Sequence, residues 1–188
     1  MSEAKMTELG DYSGSFISDM TYERFSKDVL LQLLSLHSEY IQKTDGFWYV
    51  AVKDRVGDDV AFESDMWVWS RLQIWELERV TRLFRIEGHD VAALFKTLQL
   101  SPWMRALKGE FELKSENHGI MTITHCPTLI GLEKEGEGRE RRICNEWEPK
   151  SNRIVADFFN PKIEVNPLKL PPRKSKDDIC CQWEFKLN

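Results

Sequence analysis

All four cysteines of this 188-residue chain, Cys126, Cys144, Cys180 and Cys181, fall in its last third. A thiolate is both a nucleophile and a metal ligand. The first 120 residues offer no Gly-rich phosphate loop, nucleophile or ligand pair at a useful spacing, so the chemistry is expected where the cysteine segments converge. Cys126, Cys144 and Cys181 could meet a carboxylate such as Glu146 or Glu148, or His125, in a tetrahedral zinc site or an iron-containing site. The intervals are wide, with 17 residues between Cys126 and Cys144 and 36 between Cys144 and Cys181, whereas structural zinc usually takes closely spaced pairs. A second chemistry is nucleophilic: the thiolate of Cys126 or Cys144, activated by His125, with a glutamate as acid or base. No local cysteine-protease signature surrounds any of the four. The plain alternative is buried free thiols, which pack as small apolar side chains.

The elements that must position these residues divide into two halves. Ser26 can cap a helix running to about Lys43, with Asp28 in its first turn and Phe25 stapled on Leu30. Leu30, Leu33, Leu34, His37 and Ile41 form its apolar stripe, which predicts His37 as a packed core histidine. Asp45-Gly46 restarts the chain in a short helix through Trp48 and Tyr49 that ends at Gly57, and the two adjacent aromatics predict deep packing. A long helix follows from about Ser64 to Ile86, carrying Trp67, Trp69 and Trp75; such aromatics serve as core unless a polar partner marks a pocket. Asp90 caps a further helix to about Leu100.

After Lys108-Gly109 the period changes from 3.6 to 2. Phe111 and Leu113 alternate with charges, Asn117-His118-Gly119 turns, and Ile120 to Cys126 returns as the second strand of a hairpin. The charged run 133–142 reads as a mobile solvated loop. Short helices are expected at 143–147 and 153–158, and strands from Ile163 and over Ile179 to Leu187. In the last strand, alternation puts Cys181, Trp183 and Phe185 toward the core and Cys180 away from it. In the hairpin it puts His125 and Cys126 on opposite faces unless the chain bends at Pro127. The expected fold is α+β: a helical N-terminal half on one face of a small antiparallel sheet, with the 127–158 helices on the other.

Composition bounds the rest. With 41% hydrophobic and 30% charged residues, one globular domain over 21–188 behind a flexible tail of residues 1–20 is expected. A formal charge of −5 spread over mixed-sign faces argues against nucleic acid or an anionic membrane as partner. The polar, acidic start and the lack of a long apolar run predict neither a signal peptide nor a membrane span, hence a cytoplasmic chain with reduced cysteines.

The frame Asp45-Gly46-Phe47-Trp48, Asp65-x-x-x-Trp69, Cys126-Pro127, Cys144, Asn160-Pro161 and Cys181-x-Trp183-x-Phe185 resembles an uncharacterised family of small cytosolic prokaryotic proteins. That family is similar, chiefly in its cysteine-bearing C-terminal half, to the L-2-aminothiazoline-4-carboxylic acid hydrolase family, which opens a cyclic thiazoline with water. The resemblance singles out Cys126, Cys144 and Cys181 and leaves Cys180 as an addition. Lys53 departs from it, standing where an acidic residue is expected. What it implies is a small-molecule enzyme that hydrolyses a cyclic C–N bond with metal or thiol assistance, with zinc or iron as the cofactor. The alternatives are a non-catalytic module binding a metal or small-molecule ligand, and a homo-oligomeric interaction protein with exposed tryptophans.

Overall fold

The computed structural model describes residues 8–188; the first seven residues of the expected tail, and with them the start of the chain, lie outside the described residues. Beyond them the tail is tied down at Leu9, whose N–H donates to the Arg24 carbonyl at 2.8 Å and whose carbonyl accepts from Ser26 N–H at 2.9 Å. Tyr12 packs edge-on against Phe25.

Ser26 caps α1, its hydroxyl accepting from Val29 N–H, and α1 runs without a break over Lys27–Val56. The expected interruption at Asp45-Gly46 does not occur. A mid-helix glycine costs about 1 kcal/mol, and the packing of α1 on its neighbour outweighs that: Ser38 and Tyr49 are buried, and Asp45 binds a side chain of the next helix. Gly57 at φ 97° makes the turn, and α2 follows over Asp58–Phe84 with two aspartates in its first turn. Together α1 and α2 form a long antiparallel hairpin. His37 is exposed rather than packed, and of the adjacent aromatics only Tyr49 is buried while Trp48 is open to solvent. The reason is phase: Ser38, Gln42, Asp45 and Tyr49 make the inward face, and His37 and Trp48 lie one residue off it.

Asp90 caps α3 (Val91–Gln99) by accepting from Ala93 N–H. Strands β1 (Lys108–Ser115) and β2 (His118–His125) form the expected hairpin. Then come α4 (Pro127–Glu135), α5 (Arg139–Arg142), a π-type turn over Ile143–Trp147, and α6 (Glu148–Phe159). Strands β3 (Ile163–Lys169) and β4 (Cys181–Leu187) complete an antiparallel sheet of order β1-β2-β4-β3. The architecture is α+β, with the helices predominating in the N-terminal half.

One sheet face carries the core. Met121, Ile123, Trp183, Phe185 and Ile163 pack with Leu94, Val91, Leu129, Val155 and Phe159 from the helices. Gly119 belongs to that face because Phe95 lies where a Cβ would stand. The other face, expected beneath the 127–158 helices, carries polar ladders instead. Gln182 donates to Thr122 at 2.9 Å, and His118 meets Glu184 at 3.0 Å. Such a half-solvated antiparallel sheet needs cover on one side only.

The run 133–142 is also ordered, contrary to expectation. Lys53 meets Glu135 at 2.7 Å and Glu137 at 2.8 Å, and Arg139 and Arg142 reach Asp58 at 3.2 Å each. Arg139 also lies over the Tyr49 ring and Arg142 over Phe62. A charge run reads as solvated when its partners are distant in sequence, and here they sit on α1 and α2.

Candidate functional site

The cysteines come from four local structures. Cys126 is the N-cap of α4, its sulfur accepting from Leu129 N–H at 3.4 Å, and Pro127 takes the first helical position. This supplies the bend that strand alternation required, and it turns Cys126 into the core while His125 stays exposed at the end of β2. Cys144 sits in the π-type turn, whose wider winding carries it against the main core. Trp147, in the same turn, fills the second cluster with Tyr49, Ala61 and Phe62. Cys181 opens β4 opposite Ile123 and packs, half-buried, against the core.

Cys180 corrects the sequence reading. It is 1% exposed and the most buried of the four thiols. Alternation does not reach it because β4 starts at Cys181. Its N–H donates to the Ile123 carbonyl at 2.7 Å, and the chain swings it inward beside Cys126.

The group that joins these segments is Glu148, the first residue of α6. Its negative charge raises the thiols of Cys126, Cys144 and Cys181 alike. Burial pushes the Glu148 carboxyl itself up to about 7, with no basic partner to hold it down. Of the two glutamates considered from sequence, Glu146 is exposed and stands apart from this cluster.

The thiols are correspondingly weak acids. Burial is the first cause in each, raising Cys126 to about 11, Cys181 to about 12, and Cys144 and Cys180 above their ordinary value. For Cys126 the α4 N-terminus works in the opposite sense through Leu129 N–H, and burial wins. The Arg173 guanidinium opposes the rise at Cys180. All four cysteines are free thiols. Among the described residues, no hydrogen bond links His125 to a thiol, and no set of three or more His, Cys, Asp or Glu side chains is arranged to hold a metal ion.

A hollow of about 300 Å³ is lined by Glu133, Glu140, Pro172, Arg173, Ser175 and Lys176, and neither Glu148 nor any cysteine is part of that lining. Its relation to the cysteines is electrostatic. Glu140 raises Cys144, and Arg173 interacts with Cys126 and Cys180. Arg173 is held by Glu133, with Nε at 2.9 Å from Oε1. A larger hollow, about 540 Å³ at the C-terminal end of α2, is lined by none of the cysteines.

A second buried acidic feature joins the helical hairpin. Trp69 Nε1 donates to Asp45 Oδ1 at 2.7 Å, and Asp65 stands beside the same carboxyl. Burial first, then the neighbouring Asp45 charge, raises Asp65 far above the usual carboxyl range. Of the three tryptophans on α2, Trp69 alone has the polar partner that a functional reading demands; Trp67 and Trp75 are exposed. The sequence signal was the pair of Asp-containing motifs at 45–48 and 65–69, whose meeting requires the uninterrupted α1.

Residues 23–187 match the model of a family of unknown function, DUF6125. No curated protein and no solved structure matches the chain. Among the described residues, no helix is long and apolar enough to cross a membrane. The match spans nearly all of the chain, including every cysteine, Glu148, and both Asp45 and Asp65, so the protein belongs to this family of unknown function.

Proposed function

We propose that the Glu148–cysteine cluster is the active site of a small-molecule hydrolase that opens a cyclic C–N bond. The observation that carries this reading is a buried carboxyl with a pKa of about 7 whose charge acts on three buried thiols. Near neutral pH such a carboxyl exists in both protonation states, which suits it to taking a proton and returning it. Glu148 would accept a proton from water as the water oxygen bonds to the ring carbon. It would then deliver that proton to the nitrogen as the C–N bond breaks.

The thiols of Cys126, Cys144 and Cys181 would remain protonated and donate hydrogen bonds to the reacting heteroatoms. A thiol near 11 or 12 does not pass its proton to a carboxyl near 7 without a large cost, so water is the better nucleophile here than sulfur. Glu148 takes the role of base first assigned to His125, because its charge acts on the thiols and the His125 ring is exposed. We take the substrate class for the first assays from the resemblance read in the C-terminal motifs: cyclic amidines, amides and 2-aminothiazolines.

A second reading follows from the mutual repulsion of Glu148, Cys126, Cys144 and Cys181. A soft cation such as zinc or iron would relieve it by displacing the thiol protons, making the protein a metal-binding module or metal-assisted hydrolase. The side chains would have to draw together from their present positions. Elemental analysis with thiol titration on protein purified anaerobically without affinity-tag metal separates the readings. Stoichiometric metal with three protected thiols supports the second. Metal-free protein that opens a cyclic amidine, with turnover reduced at least ~100-fold in Glu148→Gln, supports the first.

A further inference from the structure

The α1–α2 hairpin carries an apolar face that none of the other described residues covers. On α1, Leu34, Ile41 and Trp48 recur every seven residues; on α2, Val68 and Trp75 do the same, with Leu72 between them. These rows lie side by side, because the helices are antiparallel and Asp45 meets Trp69 across the hairpin. Rotation of about 100° per residue puts both rows on the same flank. The opposite flank is occupied by the body of the protein: Lys53 and Tyr49 of α1 face α5 and its neighbours, and Gln73 of α2 bonds Ser151 of α6.

Trp48 is 67% exposed and Trp75 53%, so the rows are open rather than grazed by solvent. With Phe47, Tyr40 and Trp67 at the margins, the surface amounts to on the order of 1,000 Å² of apolar side chain, judged by the size of the aromatic groups. A monomer's largest patch is usually ~300–600 Å², whereas a stable dimer needs ~800 Å² from each partner.

We infer that this face pairs with the same face of a second copy of the chain, forming a four-helix bundle around a two-fold axis. Three features select a second copy. The two rows run antiparallel, so a half-turn about an axis lying in the interface and parallel to the helices lays the α1 row over the partner's α2 row. Seven-residue spacing is the repeat that lets helices pack at about 20° with side chains interdigitated. The α1 row and its in-line neighbours, from Leu30 through His37 and Thr44, carry no carboxylate, lysine or arginine to repel a like surface. The arginines on the α2 side are already engaged, Arg71 at 3.8 Å from the Trp67 ring and Arg79 at 5.1 Å from Trp75. This inference is independent of the proposed chemistry at Glu148.

Sedimentation equilibrium of the full chain from about 0.1 to 100 µM tests it. The expected result is twice the chain mass of 22.1 kDa, with the dimer weakened at least ~100-fold in Trp48→Glu and in Ile41→Glu. Leu168→Glu, on exposed β3, should leave the dimer unchanged. Circular dichroism confirms that each variant is folded, and the unmodified chain decides the matter even if a variant is not. A 22.1 kDa species throughout the range overturns the proposal. So does a dimer indifferent to both folded α1 variants, or a monomer that instead floats with phosphatidylcholine vesicles.

Discussion

Trp69 and Asp45, 24 residues apart, are joined by an indole N–H donating to a carboxylate oxygen at 2.7 Å, and this bond ties the middle of α2 to the middle of α1. Asp65 shares the site, and its raised pKa leaves it protonated at neutral pH, able to donate to Asp45. The hairpin is therefore held at its centre by a proton as well as by packing. Asp45→Ala should cost about 1–3 kcal/mol in urea unfolding, since it leaves both donors without their acceptor.

Asp65→Asn replaces the acid proton with amide hydrogens and should keep most of the stability. The wild-type contribution is expected to be complete below the unfolded pKa and lost as pH rises through the raised folded value. The variant should therefore lose less stability than the parent as pH rises from about 4 to about 8. Parallel urea curves for the two proteins across that range would remove the shared proton from the account.

Glu148 has the same sign of linkage in a narrower window. Its folded pKa of about 7 exceeds the ordinary value of 4.5, so ionising it opposes folding, and stability falls as pH rises from about 4.5 to 7. Glu148→Gln should flatten that stretch of the pH–stability profile and be the more stable protein at pH 8. A melting-temperature series from pH 4 to 8 on both proteins checks this, and a parallel shift at every pH would contradict it.

Thiol chemistry gives a third test. With Cys126 near 11 and Cys181 near 12, the thiolate fraction of Cys126 at pH 7 is on the order of one in ten thousand. Iodoacetamide should modify the native protein slowly, and Cys180, at 1% exposure, should react last. Peptide mapping after timed alkylation would show it, and fast labelling of Cys144 at pH 7 would mean a base that the present arrangement does not supply.

Gly119 marks the closest approach of the sheet to α3. Gly119→Ala would drive a methyl into the Phe95 ring, which is itself wedged between Phe111 and Phe185. A loss of about 1–3 kcal/mol is expected in chemical denaturation. Leu113→Ala on the same hairpin, half-exposed, should cost far less.

Arg139 is the best buried member of the ion-pair group, with a side chain 11% exposed over Tyr49 and its Nη1 at 2.6 Å from Glu135. Arg139→Ala should destabilise more than Lys53→Ala, which removes two ion pairs at the surface worth about 0–1 kcal/mol each. Only the Lys53 effect should fade strongly with added salt.

The sequence by itself determined the elements whose signals are local. Period-2 alternation located both hairpin strands and the buried Trp183 and Phe185, and side-chain caps at Ser26 and Asp90 located two helix starts. What depended on distant partners stayed hidden. Gly46 reads as a break until α2 is packed against α1, and the 133–142 charges read as solvated until Lys53, Asp58 and Asp59 are placed opposite them. Cys180 reads as outward because alternation was extended past the true start of β4. Only the tertiary structure selected Glu148 over His125 as the titratable neighbour of the thiols. Burial, which sets that carboxyl near 7, is a property of the packed core and of no stretch of chain.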